Sequence, residues 1–302
     1  MNRRQLFGAV ALTAGLGTPA RGVQPTTPAA PDGSPFEART PDGLVLSGRA
    51  YGDPTKPEIL LVHGLCMCRL CWDRQLVAGL VDRFRVVTFD LRGHGDSDKP
   101  ADSAAYADGG RWADDVAAVI RASKLRRPIL VGWSFGGLVV GHYLAKHGSG
   151  GVAGVNLVGA VTKQDPALVG PDTLTLAPKL GDPDLGVRTA ACRDVLAACF
   201  AEPPPRDEFE RMLVFYGMVP RALYKGIAPV SGGDKLDAAW AAAPRVLVTF
   251  GAKDRFVRRA MAERVLALNP RAKLSVYEAA GHSSHIEDST RFNRELAAFA
   301  GV

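Results

Sequence analysis

The segment Gly132-Trp133-Ser134-Phe135-Gly136 places a serine between two glycines in a G-x-S-x-G motif. The motif follows a predicted strand and precedes a predicted helix, which is the context of a nucleophilic serine on a tight turn. Glycines are needed there because larger neighbouring side chains would obstruct the turn. The motif predicts that Ser134 is a nucleophile exposed at a strand end, and a purely structural glycine-rich turn is the alternative.

A serine hydroxyl is a poor nucleophile unless a base takes its proton, and that base needs a carboxylate to fix its tautomer. Asp254 follows the apolar run at 246–250, and His282 follows the run at 274–277. Neighbouring parallel strands end at the same edge of a sheet, so these side chains can meet Ser134 there. The chain order Ser, Asp, His is also the order expected for a serine on a strand-to-helix turn.

Two other residues are alternatives for these roles. His285 lies only three residues after His282, and Asp165 follows the apolar run at 154–158. His282 is favoured because it leaves its strand directly, whereas His285 lies about one turn further on. Asp254 is favoured because it follows a stronger strand pattern than Asp165 does.

Attack on a carbonyl creates an oxyanion, which needs N–H donors that are already in position. One predicted donor is the backbone N–H of Phe135, at the start of the helix after Ser134. The other is the backbone N–H of Leu65 in the loop His63-Gly64-Leu65, where His63 is interpreted as structural. Trp133 and Phe135 flank the nucleophile, and we predict that Trp133 binds substrate, although it could instead pack beneath the turn.

The remaining sequence predicts the elements that position these groups. A hairpin is expected over 36–51, and short apolar runs rich in β-branched residues predict buried strands at 59–62, 85–89, 128–132, 154–158, 246–250 and 274–277. Helix-compatible stretches alternate with them at 72–81, 112–122, 138–146, 258–268 and 291–299. This alternation indicates an α/β fold with a mostly parallel sheet and helices on both faces.

The alternation stops over residues 161–243, which contain no clear strand but many aromatic and apolar residues. This stretch is too long for a plain loop. We therefore predict an inserted helical cap at 161–243 over the carboxyl edge of a core formed by 36–160 and 244–302. Most of the cap's aromatic residues are expected to form its own core.

The N-terminus has the pattern of an export signal. Arg3-Arg4 precedes a short apolar stretch, and Thr18-Pro19-Ala20 resembles a small-residue cleavage site. Residues 1–20 are therefore predicted to be a twin-arginine signal peptide, with periplasmic or secreted localisation, and 21–35 to be a flexible linker. A weakly structured start with two chance arginines is the alternative.

The composition restricts the other classes of function. The net charge of +6 is scattered over the 302 residues, which argues against nucleic-acid binding, and no apolar run is long enough to span a bilayer.

The spacing of Cys66, Cys68 and Cys71 is a weak metal-site pattern. A disulfide between Cys192 and Cys199 would require a helix to break between them. Disulfide pairing and oligomeric state stay open.

Several motifs together resemble the α/β-hydrolase superfamily. They are His63-Gly64, the segment 90–97 (DLRGHGDS), 132–137, Asp254 and Gly281-His282, and Trp72-Asp73-Arg74-Gln75-Leu76 also fits. The resemblance covers about residues 36–302, is weakest in the cap, and is closest to small-ester esterases and cofactor-free haloperoxidase-like perhydrolases. It implies an eight-stranded, mostly parallel sheet with a cap.

Three positions depart from the pattern of this family. The loop after His63-Gly64 carries cysteines where small hydroxyl residues are common, and Ser289 stands two residues after Glu287, where proline is frequent. A serine, not an aspartate, occupies the nucleophile position. The chain therefore does not resemble the dehalogenases and epoxide hydrolases of the superfamily.

The expected activity is hydrolysis of a small, fairly apolar carboxylic ester through an acyl-enzyme, with no metal or organic cofactor. Perhydrolysis, lactone opening and carbon–carbon bond hydrolysis use the same triad and are the enzymatic alternatives. A non-catalytic ligand-binding protein on this fold is an alternative from a different class.

Replacing Arg3 and Arg4 with lysine tests the predicted export signal. Because the arginine pair is the recognised element, the doubly substituted precursor is expected to stay in the cytoplasm, while the unaltered chain is exported and shortened. Cell fractionation and N-terminal sequencing measure both effects. Unchanged export of the substituted chain would contradict the prediction.

Overall fold

The computed structural model describes residues 30–228, 230–231 and 233–301. The predicted signal peptide at 1–20 and most of the predicted linker lie outside these residues. The remainder of the linker leads directly into the sheet, because the first strand begins at Ser34, two residues before the predicted hairpin.

An eight-stranded sheet forms the centre of the fold, in the order β1-β2-β4-β3-β5-β6-β7-β8. The first two strands form an antiparallel hairpin, β2 also pairs antiparallel with β4, and the remaining neighbours are parallel. The bounds are β1 Ser34–Arg39, β2 Val45–Tyr51, β3 Glu58–Val62, β4 Arg85–Phe89, β5 Ile129–Trp133, β6 Gly154–Val158, β7 Val246–Gly251 and β8 Lys273–Tyr277. This confirms the predicted fold class.

Helices surround the sheet and cover its carboxyl edge. They are α1 Gly109–Ala122, α2 Phe135–His147, α3 Pro171–Thr175, α4 Leu185–Ala198, α5 Arg206–Gly217, α6 Arg221–Gly226, α7 Gly233–Ala242, α8 Arg259–Leu268, α9 Ser284–Glu287 and α10 Ser289–Ala300. An irregular helical stretch runs through Arg69–Trp72, Asp73–Gln75, Leu76–Leu80 and Val81–Arg83, and short 3-10 turns lie at Ser103–Tyr106 and Ala177–Gly181. None of the helices in the described residues is long and apolar enough to cross a bilayer.

The central strands are buried on both faces because their side chains alternate between two apolar clusters. In β3, Leu60 and Val62 join the cluster that contains α1 and α2 residues. Ile59 and Leu61 join the opposite cluster, which contains residues of the irregular stretch and α10. Continuous apolar runs in the sequence therefore correspond to strands with helices on either side.

In residues 161–243 the described part of the chain forms helices joined by irregular segments, with one isolated β-bridge between Val169 and Val257. The last helix, α7, packs against α2 and α8. Its Trp240 is fully buried, and the indole N–H donates to the carbonyl of Thr162 at 3.2 Å. The helices over the strand ends are therefore the earlier ones, α3 to α6.

A buried ion pair anchors the loop that follows β4. The Arg92 guanidinium is fully buried and donates two hydrogen bonds to the Asp115 carboxylate of α1, both at 2.6 Å. It also donates to Asp42 in the hairpin turn at 2.9 Å. Because the bidentate geometry restricts both partners, the loop 90–98 is held at a defined position against α1.

Asp115→Asn is expected to lower the free energy of unfolding by about 3 kcal/mol, because it leaves the buried Arg92 charge without its main counter-charge. Asp114→Asn is the matched control: Asp114 is the neighbouring residue, and its carboxylate is partly exposed and pairs with Lys146. Loss of that surface pair is expected to change stability by about 1 kcal/mol or less. Urea unfolding measures both, and equal losses would contradict the proposed anchoring.

Candidate active site

Ser134 occupies a sharp turn between β5 and α2. Its backbone has φ 54° and ψ −121°, a conformation that is unfavourable for a residue with a side chain. The turn is held because the Ser134 N–H donates to Val158 and the Ser134 carbonyl accepts from Gly137 and Val161, each at 3.0 Å. A side chain at Gly136 would place its Cβ 2.4 Å from the Val62 carbonyl oxygen, so the glycine is required.

His282 and Asp254 form a hydrogen-bonded pair at the ends of β8 and β7. The His282 Nδ1 lies 2.8 Å from Asp254 Oδ2. The other carboxylate oxygen, Oδ1, accepts the backbone N–H groups of Phe256 and Val257 at 2.8 and 2.9 Å. Because the carboxylate accepts at Nδ1, the His282 Nε2 is the nitrogen left to take a proton from a nucleophile.

A single cavity of about 920 Å³ brings the predicted groups together, because Ser134 and His282 both line it, along with Leu65 and Phe135. Asp254 lies behind His282, and its side chain is fully buried. Residues of the predicted cap segment, among them Leu180, Val195 and Tyr216, form the rest of the wall.

The alternative base, His285, and the alternative acid, Asp165, lie in surroundings that differ from those of His282 and Asp254. The fully buried His285 ring packs against Trp72 and Trp133, with ring centres 4.5 and 4.6 Å apart, and neither ring nitrogen has a partner among the described residues. Burial lowers the pKa of His285 well below its usual value. Asp165 lies on the cavity rim, where its carboxylate accepts the N–H of Ala167. The geometry therefore favours the pair of His282 and Asp254.

The predicted oxyanion donors lie beside the nucleophile. A side chain at Gly64 would place its Cβ 3.1 Å from the Cβ of Ser134, so the loop that carries Leu65 touches the serine turn. Within the described residues, neither the Leu65 N–H nor the Phe135 N–H has a protein acceptor. Both donors therefore remain available to an oxygen atom bound in the cavity.

Trp133 lines the cavity, but only 1% of its surface is exposed. Its indole N–H donates to the backbone carbonyl of His282 at 2.9 Å, and its ring packs against Trp72. The structure thus shows a contact that the sequence analysis did not anticipate. Direct contact between Trp133 and substrate stays a prediction.

Glu287 connects the His282 loop to the cap. Its carboxylate accepts the N–H of Gly281 with one oxygen and the N–H of Ala201 with the other, both at 2.8 Å. Burial raises the pKa of Glu287. The Ser283 N–H also donates to the carbonyl of Cys199 at 3.0 Å. The segment that follows α4 is therefore bound to both neighbours of His282, which no sequence pattern had indicated.

Thiols and phenols line the inner wall of the cavity. The Cys66 Sγ lies 3.1 Å from the hydroxyl of Tyr224, and the buried Cys199 and Tyr216 lie nearby. Burial raises the pKa of Cys66 to about 12, so its thiol is protonated and a weak nucleophile. The sequence analysis expects most of the cap's aromatic residues to form its own core, and periodicity alone could not identify Tyr216 and Tyr224 as residues of the cavity wall.

The cysteines do not form disulfides in the structure. All five are free thiols, and α4 runs unbroken to Ala198, so Cys192 and Cys199 are not bridged. Among the residues that the structure describes, no group of three or more His, Cys, Asp or Glu side chains is arranged to hold a metal ion.

The fold agrees with the comparisons to known proteins. The sequence profile of the alpha/beta hydrolase family matches residues 59–295. The chain therefore belongs to the α/β-hydrolase family.

The individual relatives include esterases and haloperoxidases. A bifunctional esterase/perhydrolase of Acinetobacter calcoaceticus is 30% identical over 86% of this chain and 97% of its own. A non-heme haloperoxidase of Rhodococcus erythropolis is 31% identical over 85% and 96%. The solved structure of an esterase from Rhodococcus sp. ECU1013 has a TM-score of 0.82 and 31% identity, over 89% and 98% of the two chains. These relatives support an ester hydrolase or perhydrolase on this fold.

Trp133→Phe distinguishes the two roles considered for this residue. The substitution keeps an aromatic ring but removes the donor to the His282 carbonyl, so kcat for an ester is expected to fall about fivefold with KM nearly unchanged. Steady-state kinetics on a series of esters measure this. A changed KM or altered chain-length preference with unchanged kcat would show instead that the ring contacts substrate.

Proposed function

We propose that this protein is a serine hydrolase that cleaves carboxylic esters with Ser134, Asp254 and His282 as its catalytic triad. The observation that carries the proposal is the 2.8 Å hydrogen bond between His282 and Asp254 at the wall of the cavity that Ser134 also lines. A carboxylate-oriented imidazole beside a serine on a strained turn is the arrangement that activates a hydroxyl.

The reaction proceeds in two halves. His282 Nε2 takes the Ser134 proton as Oγ attacks the ester carbonyl, and the N–H groups of Leu65 and Phe135 stabilise the oxyanion. The imidazolium then protonates the departing alcohol, which leaves an acyl-enzyme. Water, activated by His282, attacks the acyl-enzyme and releases the acid. Asp254 stays ionised throughout and orients the imidazole.

The cavity indicates an uncharged, hydrophobic substrate. Its wall includes many apolar side chains, such as Met67, Val161, Leu180, Val195 and Phe256. The charged lining residues are Asp165, Asp182 and Lys225, and all three are at least partly exposed. The cavity volume of about 920 Å³ lies near the upper end of the usual range for ligand pockets, about 300–1,000 Å³.

Perhydrolysis is the second candidate activity, because one full-length relative is a bifunctional esterase/perhydrolase. Hydrogen peroxide would replace water in the second half-reaction, and a peracid would replace the acid. The same triad and oxyanion donors serve both reactions.

We also propose export to the periplasm or beyond, which rests on the Arg3-Arg4 signal pattern alone.

Nitrophenyl esters of increasing acyl length test the proposal. The unaltered protein is expected to hydrolyse them, and Ser134→Ala is expected to lower kcat by about 10⁴-fold or more because the nucleophile is gone. Ser149→Ala, a serine outside the cavity, is the control and is expected to keep full activity. Adding hydrogen peroxide and assaying peracid formation compares the two candidate activities. Equal rates for the unaltered protein and Ser134→Ala would refute the assigned nucleophile.

A further inference from the structure

Two consecutive peptide groups of the loop beside Ser134 are each bound by a buried histidine. The Gly64 carbonyl lies 2.8 Å from His63 Nδ1. The Cys66 N–H donates to His94 Nε2 at 3.1 Å. The Leu65 N–H, which is the proposed oxyanion donor, belongs to the Gly64–Leu65 peptide that His63 binds. That peptide meets the Leu65–Cys66 peptide, which His94 binds, at the Leu65 Cα. Because each peptide group is planar, fixing one atom of the group fixes the direction of the others.

The hydrogen-bond partners determine which nitrogen of each ring carries the proton. His94 Nδ1 lies 2.9 Å from the carbonyl of Arg92, which can only accept, so Nδ1 is protonated and Nε2 accepts from Cys66. The Leu91 N–H donates to His63 Nε2 at 3.0 Å, so His63 Nδ1 is the donor to Gly64. Both rings therefore act in their neutral form.

Burial keeps both imidazoles neutral over the range in which esterases work. The two rings are fully buried and lie 5.0 Å apart, edge to face. Burial lowers the pKa of His63 to about 4 and that of His94 to about 3. A protonated His94 could not accept from the Cys66 N–H, so this neutrality is required for the contact.

The loop needs such support because Cys66 is in an unfavourable conformation. Its φ of 65° lies in the left-handed region, which residues other than glycine rarely adopt. The Cys66 side chain also has a polar partner in the cap, the hydroxyl of Tyr224. Without His94, the Leu65–Cys66 peptide would lose the partner that opposes a return to a relaxed conformation.

His94 is itself held firmly by the core. Arg92, two residues earlier, is anchored to Asp115 by the buried ion pair described above. The fully buried Asp90 carboxylate accepts the N–H groups of Arg69 at 2.7 Å and Asp96 at 3.0 Å. The loop 90–98 is therefore a rigid support from which the imidazole reaches the Cys66 N–H.

We propose that His94 is a positioning residue for the oxyanion hole. By holding the Leu65–Cys66 peptide it fixes the backbone on the carboxyl side of Leu65, so that the adjoining Gly64–Leu65 peptide and its N–H stay directed at the substrate oxygen. This inference rests on the proposed ester hydrolysis, in which that N–H stabilises the oxyanion. His94 is absent from the described lining of the cavity and does not contact substrate. Its effect is exerted through the peptide that it binds.

The test compares His94→Phe, which removes the acceptor, with His94→Gln, whose side-chain carbonyl can take the place of Nε2. In His94→Phe, kcat for a nitrophenyl ester is expected to fall about tenfold or more with KM within about twofold, because the donor is misdirected in the transition state. The affinity for an arylboronic acid, which binds as a transition-state analogue, is expected to fall by a similar factor. His94→Gln is expected to recover most of both.

His142→Phe is the matched control. His142 is a half-buried histidine of α2 outside the described cavity lining, so its replacement is expected to leave kcat and boronic acid affinity unchanged. Hydrogen–deuterium exchange of the segment 63–68, followed by mass spectrometry, reports the loop without any need for activity. Faster exchange is expected in His94→Phe, and unchanged exchange in His94→Gln and His142→Phe.

Unchanged exchange or unchanged kcat in a folded His94→Phe variant would overturn the proposal. If the His94→Phe variant fails to fold, His94→Gln is compared with the unaltered protein, and a tenfold loss of kcat there would equally contradict the role of the acceptor. If the unaltered protein hydrolyses no ester, the proposed function fails. The exchange measurement then still decides whether His94 holds the loop.

Discussion

The hydrogen bond between His282 and Asp254 is the interaction on which the proposed chemistry depends. It fixes the tautomer of the imidazole and leaves Nε2 to face the cavity. The bond forms because β7 and β8 are parallel neighbours, so the residues that follow them leave the sheet at the same edge. Asp254 stays in place because two backbone N–H groups occupy its second oxygen. The pairing of β7 with β8 therefore determines which nitrogen of His282 carries the proton.

Around this bond, the site is held mainly by contacts to backbone atoms. Trp133 binds the carbonyl of His282, Glu287 binds the N–H of Gly281, and His94 binds the N–H of Cys66. A side chain that holds a backbone atom restricts a whole peptide group, so one buried hydrogen bond positions a loop that could otherwise relax. Such contacts balance the unfavourable backbone of Ser134 and Cys66, both of which have positive φ. A strained backbone conformation persists only when several surrounding contacts hold it in place.

The cap is part of the same network. The segment that follows α4 is bound to the His282 loop through Cys199 and Ala201, and the Tyr224 hydroxyl contacts the thiol of Cys66 beside the predicted oxyanion loop. Residues of the cavity wall are thereby connected both to the His282 loop and to the loop that carries the proposed oxyanion donor Leu65. Changes in the cap that adapt the cavity to another substrate are therefore constrained by contacts that the chemistry itself needs.

The sequence alone determined the strands, the order of the predicted triad and the class of fold, because these depend on short patterns: apolar runs, and a glycine-flanked serine at a strand end. It also predicted the backbone N–H groups of Leu65 and Phe135 as oxyanion donors, because both residues lie next to recognisable motifs. Only the tertiary structure showed which side chains hold the backbone of the site. Trp133 binds the His282 carbonyl from 149 residues away in the sequence, and His94 binds the Cys66 N–H from 28 residues away. The tertiary structure likewise showed that His282 pairs with Asp254 whereas His285 is buried without a partner among the described residues, and it placed Tyr216 on the cavity wall. Spacing along a chain records local geometry, whereas such contacts depend on how separate elements pack.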